Sequence, residues 1–214
     1  MPIARILQAA DRGGGRFRDA LAAVVWGGAL YGLIMGSFAG LTLERWPQLA
    51  FSALKVPLLI FATMLLALPS FFVLNTLDGL RADFKEAMRA VAITQGTVGI
   101  VLAALAPYTA LWYFTSGNYP AATTFNGVMF AIASVAAQRV LRRRYQPLIA
   151  KNPRHRLLLW TWMVLYVFVG IQMGWTLRPF VGEPGTPPTF FRKDTFGNAY
   201  LIVPEIVWRA VNGR

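Results

Sequence analysis

The chain has 214 residues, of which 56% are apolar and 14% charged, against about 45–50% and about 25% in soluble domains. That balance excludes an ordinary water-soluble globule and points to a membrane protein. The formal charge of +12 is grouped by loop, so it reads as topology marking and not as a nucleic-acid footprint. With no cysteine in the chain, a disulfide scaffold and a thiolate metal site are both excluded.

Four stretches lack any charged side chain: 20–43, 56–77, 90–138 and 157–177. A hydrocarbon core about 30 Å thick takes about 20 residues of helix, so the third stretch holds two crossings. It divides at Thr115 to Pro120, "TSGNYP", a cluster of turn formers. The fold class is therefore all-α, a polytopic bundle of five transmembrane helices at about 20–43, 50–74, 91–114, 122–141 and 157–177. Residues 1–19 form an N-terminal segment, 20–177 the transmembrane domain, and 178–214 a tail rich in proline, glycine and aromatic residues.

The first span contains "WGGALYGLIMGSFAG", with Gly28, Gly32, Gly36 and Gly40 at every fourth position. Each glycine costs a water-exposed helix about 1 kcal/mol against alanine. In lipid, small residues at this spacing let two backbones approach closely. The pattern, a glycine zipper, predicts a packing face for another span of the chain, for a partner protomer, or for a pore. Span 2 carries Pro57 in its first turn and Pro69 in its interior. Pro69 predicts a kink, with Ser70 and Asn75 available to freed backbone groups. Lys55 is expected at the outer rim, with its ammonium in water.

Beyond span 2, Asp83 and Glu86 have capping-box spacing, and Leu80, Phe84, Met88 and Val91 recur at helical intervals. This predicts a surface helix that runs on into span 3. The stretch 139–156, "RVLRRRYQPLIAKNPRHR", holds seven basic residues and no acid. Read as a loop beside the membrane, it makes Arg142, Arg143, Arg144, Lys151, Arg154 and Arg156 candidate contacts for anionic lipid. In the tail, Phe180, Phe190, Phe191 and Phe196 are too aromatic for a flexible linker. Positions 202–211 repeat apolar residues on one helical face, a short amphipathic helix in the external interface with Tyr200 and Trp208 at headgroup depth. Together with Trp208, these phenylalanines are candidate partner-docking residues.

Chemistry is sparse. The chain has a single histidine, His155, and none of its nine carboxylates falls at a span centre, which argues against an imidazole metal site and against proton-coupled transport. Thr94, Gln95, Thr97, Asn126 and Gln172 are the polar residues within spans, suited to interhelical hydrogen bonds. No nucleotide, phosphate-loop or haem pattern is present. No catalytic residue, cofactor or metal is expected.

Across "KVPLLIFATMLLALPSFFVLNTLDGLR", Lys55 to Arg81, the chain resembles bacterial members of the Yip1-like family. That resemblance implies five spans, a cytoplasmic N-terminus and an external C-terminus. Eukaryotic relatives are associated with vesicle trafficking and small GTPase partners, and no functional residue carries over. The composite expectation is a non-enzymatic accessory or scaffold subunit of a bacterial inner-membrane assembly. Its partners are the bilayer, anionic lipids, and a membrane protein or second copy, with no nucleic acid. The alternative is a small channel or transporter for an uncharged or lipid-like substrate.

Fourteen of the 21 basic residues precede span 1 or lie between spans 2 and 3 and spans 4 and 5, which by the positive-inside rule places the N-terminus in the cytoplasm. A reporter fused after Arg214 should therefore read out as external, and a cytoplasmic signal would contradict the orientation.

Overall fold

The computed structural model describes residues 17–192, 200 and 208, and among these no strand occurs. Five helices are long and apolar enough to cross a membrane: α1 (Phe17–Ala39), α2 (Trp46–Leu77), α3 (Arg81–Thr115), α4 (Tyr119–Lys151) and α5 (His155–Thr176). Around the bundle the order is α1, α2, α5, α4, α3, with α4 closing more loosely on α5. One end carries the turns α2–α3 and α4–α5 and is called the basic end. The other carries α1–α2, α3–α4 and the chain after α5, and is called the tail end.

The first helix sits between α2 and α3, and glycine makes both contacts possible. A Cβ at Gly32 would lie 2.2 Å from the carbonyl oxygen of Ser52, and one at Gly36 3.0 Å from that of Gln48. At Gly28 the same atom would press on the Pro57 ring at 3.2 Å. The zipper face is thus filled by α2 of the same chain. The face toward α3 was not signalled by the four-residue repeat. There a Cβ at Gly27 would meet the carbonyl oxygen of Gly99 at 2.3 Å, one at Gly99 that of Ala23 at 2.3 Å, and one at Gly96 the Cα of Ala20 at 2.8 Å. Residues Ala23–Gly27 form a π-helical turn at this contact.

Gly40 corrects the repeat. Helix α1 ends in a 3₁₀ turn at Ser37–Ala39, earlier than the expected residue 43. Gly40 follows with φ +104° and nothing within 4 Å of its would-be Cβ. Its glycine serves the chain reversal, a backbone conformation that side chains disfavour, and not helix packing.

Helix α2 runs unbroken through Pro57 and Pro69, and Pro69 is exposed. Asn75 Nδ2 donates to the carbonyl of Phe71, six residues beyond the Leu65 carbonyl that Pro69 leaves without its helical donor. The surface helix before span 3 is continuous with it, as a 3₁₀ turn at Arg81–Asp83 leading into Phe84–Thr115. Asp83 occupies the N-cap position, but its side chain makes no capping hydrogen bond. The stretch 139–151, read as loop, is instead the last three turns of α4, because its apolar positions Leu141, Tyr145 and Leu148 keep helical spacing and are buried. Only 152–154 separate α4 from α5. At the other end Asn118 caps α4, its side-chain oxygen accepting from Ala121 N at 3.0 Å.

Two apolar clusters fill the interior. At the tail end Val24, Tyr31, Ile60 and Leu102 pack with Phe180 and Val181 from beyond α5. Toward the basic end Phe71, Val91, Tyr145, Leu158 and Trp162 pack together. Large apolar side chains such as Leu65, Leu66, Leu111, Val164 and Phe168 cover the outside, as a lipid-facing surface requires.

Gly99→Ala should lower bundle stability in detergent by about 1–3 kcal/mol, the usual cost of overpacking. Gly127→Ala has open space around it and should be neutral or gain up to about 0.5–1 kcal/mol. Equal thermal unfolding of the two variants would contradict the α1–α3 contact.

Candidate functional site at the tail end

Three polar residues of α2, Gln48, Ser52 and Lys55, are fully or almost fully buried, although they lie toward the tail end of the helix. Their spacing of four and three puts them on one face, and the chain after α5 folds back over that face. Phe180 presents its carbonyl oxygen to Ser52 Oγ at 2.5 Å and to Gln48 Nε2 at 3.2 Å. Pro179 offers its carbonyl to Lys55 Nζ at 2.7 Å. The returning backbone would otherwise leave buried acceptors unsatisfied. Each side chain of the α2 triplet contributes a donor to one of them.

Lys55 departs from expectation. Its side chain is 0% exposed and does not reach water. No carboxylate among the described residues pairs with it. Besides Pro179, its ammonium meets the faces of Phe190 at 4.8 Å and Phe180 at 5.9 Å from the ring centroids, which is cation–π geometry. The stem of Lys55 therefore ends inside a cage formed by residues 179–190.

Further ties hold the same segment. Arg45, just before α2, donates from Nη1 to the carbonyls of Glu183 at 3.2 Å and Thr186 at 2.7 Å. Arg192 Nη2 reaches Glu183 Oε2 at 3.1 Å and Tyr119 Oη at 2.9 Å. Phe190 packs edge-on against Phe51 and Phe191. Between the start of α2 and this segment lies a cleft of about 380 Å³, bounded by Arg45, Gln48, Gly182, Glu183, Phe191 and Arg192 among others.

The candidate docking aromatics divide accordingly. Phe180 is buried in the core, Phe190 is half-buried over Lys55 and Phe51, and Phe191 is 51% exposed. Trp208 is 71% exposed, while Phe196 and nearly all of the proposed amphipathic helix lie outside the described residues. Tyr200 stacks on Phe168 with centroids 4.4 Å apart and donates its hydroxyl to the Phe168 carbonyl. Phe168 lies eight residues before the end of α5, about 12 Å along the helix.

At the basic end Asp83 joins two elements, accepting from Lys151 and facing His155 Nε2 at 3.2 Å. Arg154 donates to the Asp78 carbonyl at 3.4 Å. Of the candidate lipid contacts, Lys151 and Arg154 are thus engaged in holding the two turns together. Arg142 stacks over Trp160 at 4.5 Å, Arg144 is partly buried, and Arg143 and Arg156 are exposed.

Several mid-span polar residues have interhelical or local partners, while the buried Thr63 hydroxyl has none among the described residues. Asn126 accepts from Tyr31 Oη at 2.8 Å and donates to Tyr113 Oη at 2.6 Å, and Thr109 donates to Tyr31 Oη at 3.3 Å. Tyr166 donates to Gln95 Oε1 at 2.6 Å, and Thr94 bonds back to Ala90 O within its own helix. A void beside Thr94, Gln95, Ser134 and Gln138 measures about 10 Å³, roughly the room of one water. Among the described residues no group of three His, Asp or Glu side chains could hold a metal.

Gln48, Ser52 and Arg45 escaped the sequence reading, although a Gln-x3-Ser-x2-Lys series inside an apolar helix is itself a signal of a buried polar stripe. The chain matches no family model, no curated protein and no solved structure. Its fold and contacts define a class, an all-α multi-pass membrane protein with an ordered segment clamped over one end of the bundle.

Lys55→Ala removes one charged hydrogen bond and a cation–π contact, of which the first alone is typically about 1.5–3 kcal/mol. Amide hydrogen exchange across residues 180–183 should rise while the five helices remain protected. Unchanged exchange in that segment would show that Lys55 does not hold it.

Proposed function

We propose that the protein is a non-catalytic accessory or scaffold subunit of a bacterial inner-membrane assembly, with its N-terminus in the cytoplasm and its C-terminus outside. The observation that carries this reading is the fixed segment 178–192. A chain reversal tied by Lys55, Ser52, Gln48 and Arg45 offers half-exposed Phe191 from a backbone that is already ordered, so docking a partner there costs little further entropy. Of the candidate docking aromatics among the described residues, Trp208 is the other exposed one. The glycine face of α1 is occupied by α2 and is not assigned to a partner.

Exposed Arg142, Arg143 and Arg156 at the basic end suit anionic headgroups, at about 1 kcal/mol per residue near the surface. The resemblance of Lys55–Arg81 to Yip1-like proteins also favours a role in a membrane assembly over a catalytic one. A channel or transporter draws less support, since the void among the polar residues of α3, α4 and α5 has room for about one water.

Phe191→Ser with Trp208→Ser should leave insertion intact and reduce recovery of a stoichiometric partner from mild detergent. Exposed aromatic anchors at interfaces often contribute about 2 kcal/mol or more each, so the loss should be at least about tenfold. Undiminished recovery, or solute flux in liposomes by the purified protein alone, would contradict the scaffold role.

A further inference from the structure

The cleft at the tail end, about 380 Å³, falls within the range of about 300–1,000 Å³ common for small-ligand sites. Arg45 and Gln48 form one wall, and Glu183, Thr189, Phe191 and Arg192 form the other. The charges there do not cancel. Arg192 meets Glu183 at 3.1 Å, whereas Arg45 bonds to the carbonyls of Glu183 and Thr186 and no carboxylate among the described residues is within ion-pair reach of it. A guanidinium carries five donors, so two carbonyls leave Arg45 with capacity for an anion.

The amide of Gln48 is oriented by its neighbours. Ser52 gives its one hydroxyl hydrogen to Phe180 O, so its oxygen accepts from Gln48 Nε2 at 3.1 Å, and the second amide hydrogen goes to Phe180 O. Both hydrogens are used. The remaining Oε1 is an acceptor on a side chain only 2% exposed that lines the cleft.

We propose that this cleft binds a monoanionic phosphate ester bearing hydroxyl groups, the chemistry of a glycerophosphate headgroup. The phosphate neutralises Arg45, a pairing that guanidinium favours by geometry as well as charge. A hydroxyl hydrogen goes to Gln48 Oε1, and half-exposed Phe191 lines the mouth. The cleft's position at the end of membrane-crossing helices suits a lipid such as phosphatidylglycerol. A soluble glycerol phosphate offers the same polar groups.

The test uses the full chain in phosphatidylcholine liposomes doped with a photoreactive phosphatidylglycerol, with labelled peptides mapped by mass spectrometry. Labelling of the peptides bearing Arg45–Gln48 or Glu183–Arg192, unaffected by millimolar free glycerol 3-phosphate, supports a lipid occupant. Labelling abolished by glycerol 3-phosphate supports the same site with a soluble occupant. Arg45→Gln should reduce labelling at least about tenfold. Thr189→Trp fills the cleft without removing any of the bonds that hold the segment, and should reduce labelling equally. Labelling of these peptides no stronger than with a photoreactive phosphatidylcholine, or unchanged by Thr189→Trp, overturns the proposal.

Discussion

There is no room for a side-chain carbon where Gly32 of α1 meets α2 or where Gly27 meets α3, and Gly28 and Gly36 are tight but less so. A Cβ at Gly32 would sit 2.2 Å from a carbonyl oxygen of α2, and Cβ atoms at Gly27 and Gly99 would each sit 2.3 Å from a carbonyl oxygen across the α1–α3 contact. Lipid supplies no hydrophobic drive for helices to associate, so such backbone contact is what van der Waals attraction can exploit. With α1 wedged there, Tyr31 reaches Asn126 of α4 and Thr109 of α3. Each such bond contributes about 0.6 kcal/mol on average. The other helices then close around α1: α5 on α2, α4 on α3.

The same wedge shapes the tail end. Gly36 and Gly32 face Gln48 and Ser52, and those two residues also bind the chain returning from α5. Gly182 of that chain lies against Gln48 and Ala39, and Val181 enters the core beside Tyr31 and Met35. The position of α1 and the docking of the segment are thus coupled through one stretch of α2. At the basic end the corresponding link is a single carboxylate, Asp83, shared by Lys151 and His155.

The helix count was legible because charge-free length is a one-dimensional property, and all five spans appear with boundaries shifted by a few residues to about ten. The α2 face of α1 was legible from Gly28, Gly32 and Gly36. Its α3 face was not, since Gly27, Gly96 and Gly99 come from two distant segments whose complementarity exists only in three dimensions. Gly40 fits the repeat in sequence but lies past the helix end, where φ and not spacing explains it. Lys55 reads as a rim lysine until a segment more than 120 residues later covers it. The stretch 139–151 misled because arginine density masks the helical spacing of Leu141, Tyr145 and Leu148. The candidate aromatic residues carried no marking that separates Phe180, which enters the core, from Phe191, which faces outward.

The absence of native cysteine permits a direct measurement of the α1–α2 contact. A Cβ at Gly36 would lie 3.0 Å from Ser52 Oγ, an approach compatible with a disulfide, whose Cβ atoms stand about 3.5–4.5 Å apart. Gly36→Cys combined with Ser52→Cys, oxidised mildly in native membranes, should give a crosslink within one chain in nearly every molecule, with monomer mobility on a denaturing gel. Crosslinks between chains only, or none, would show that the glycine face of α1 meets a partner or lipid and would contradict the wedge.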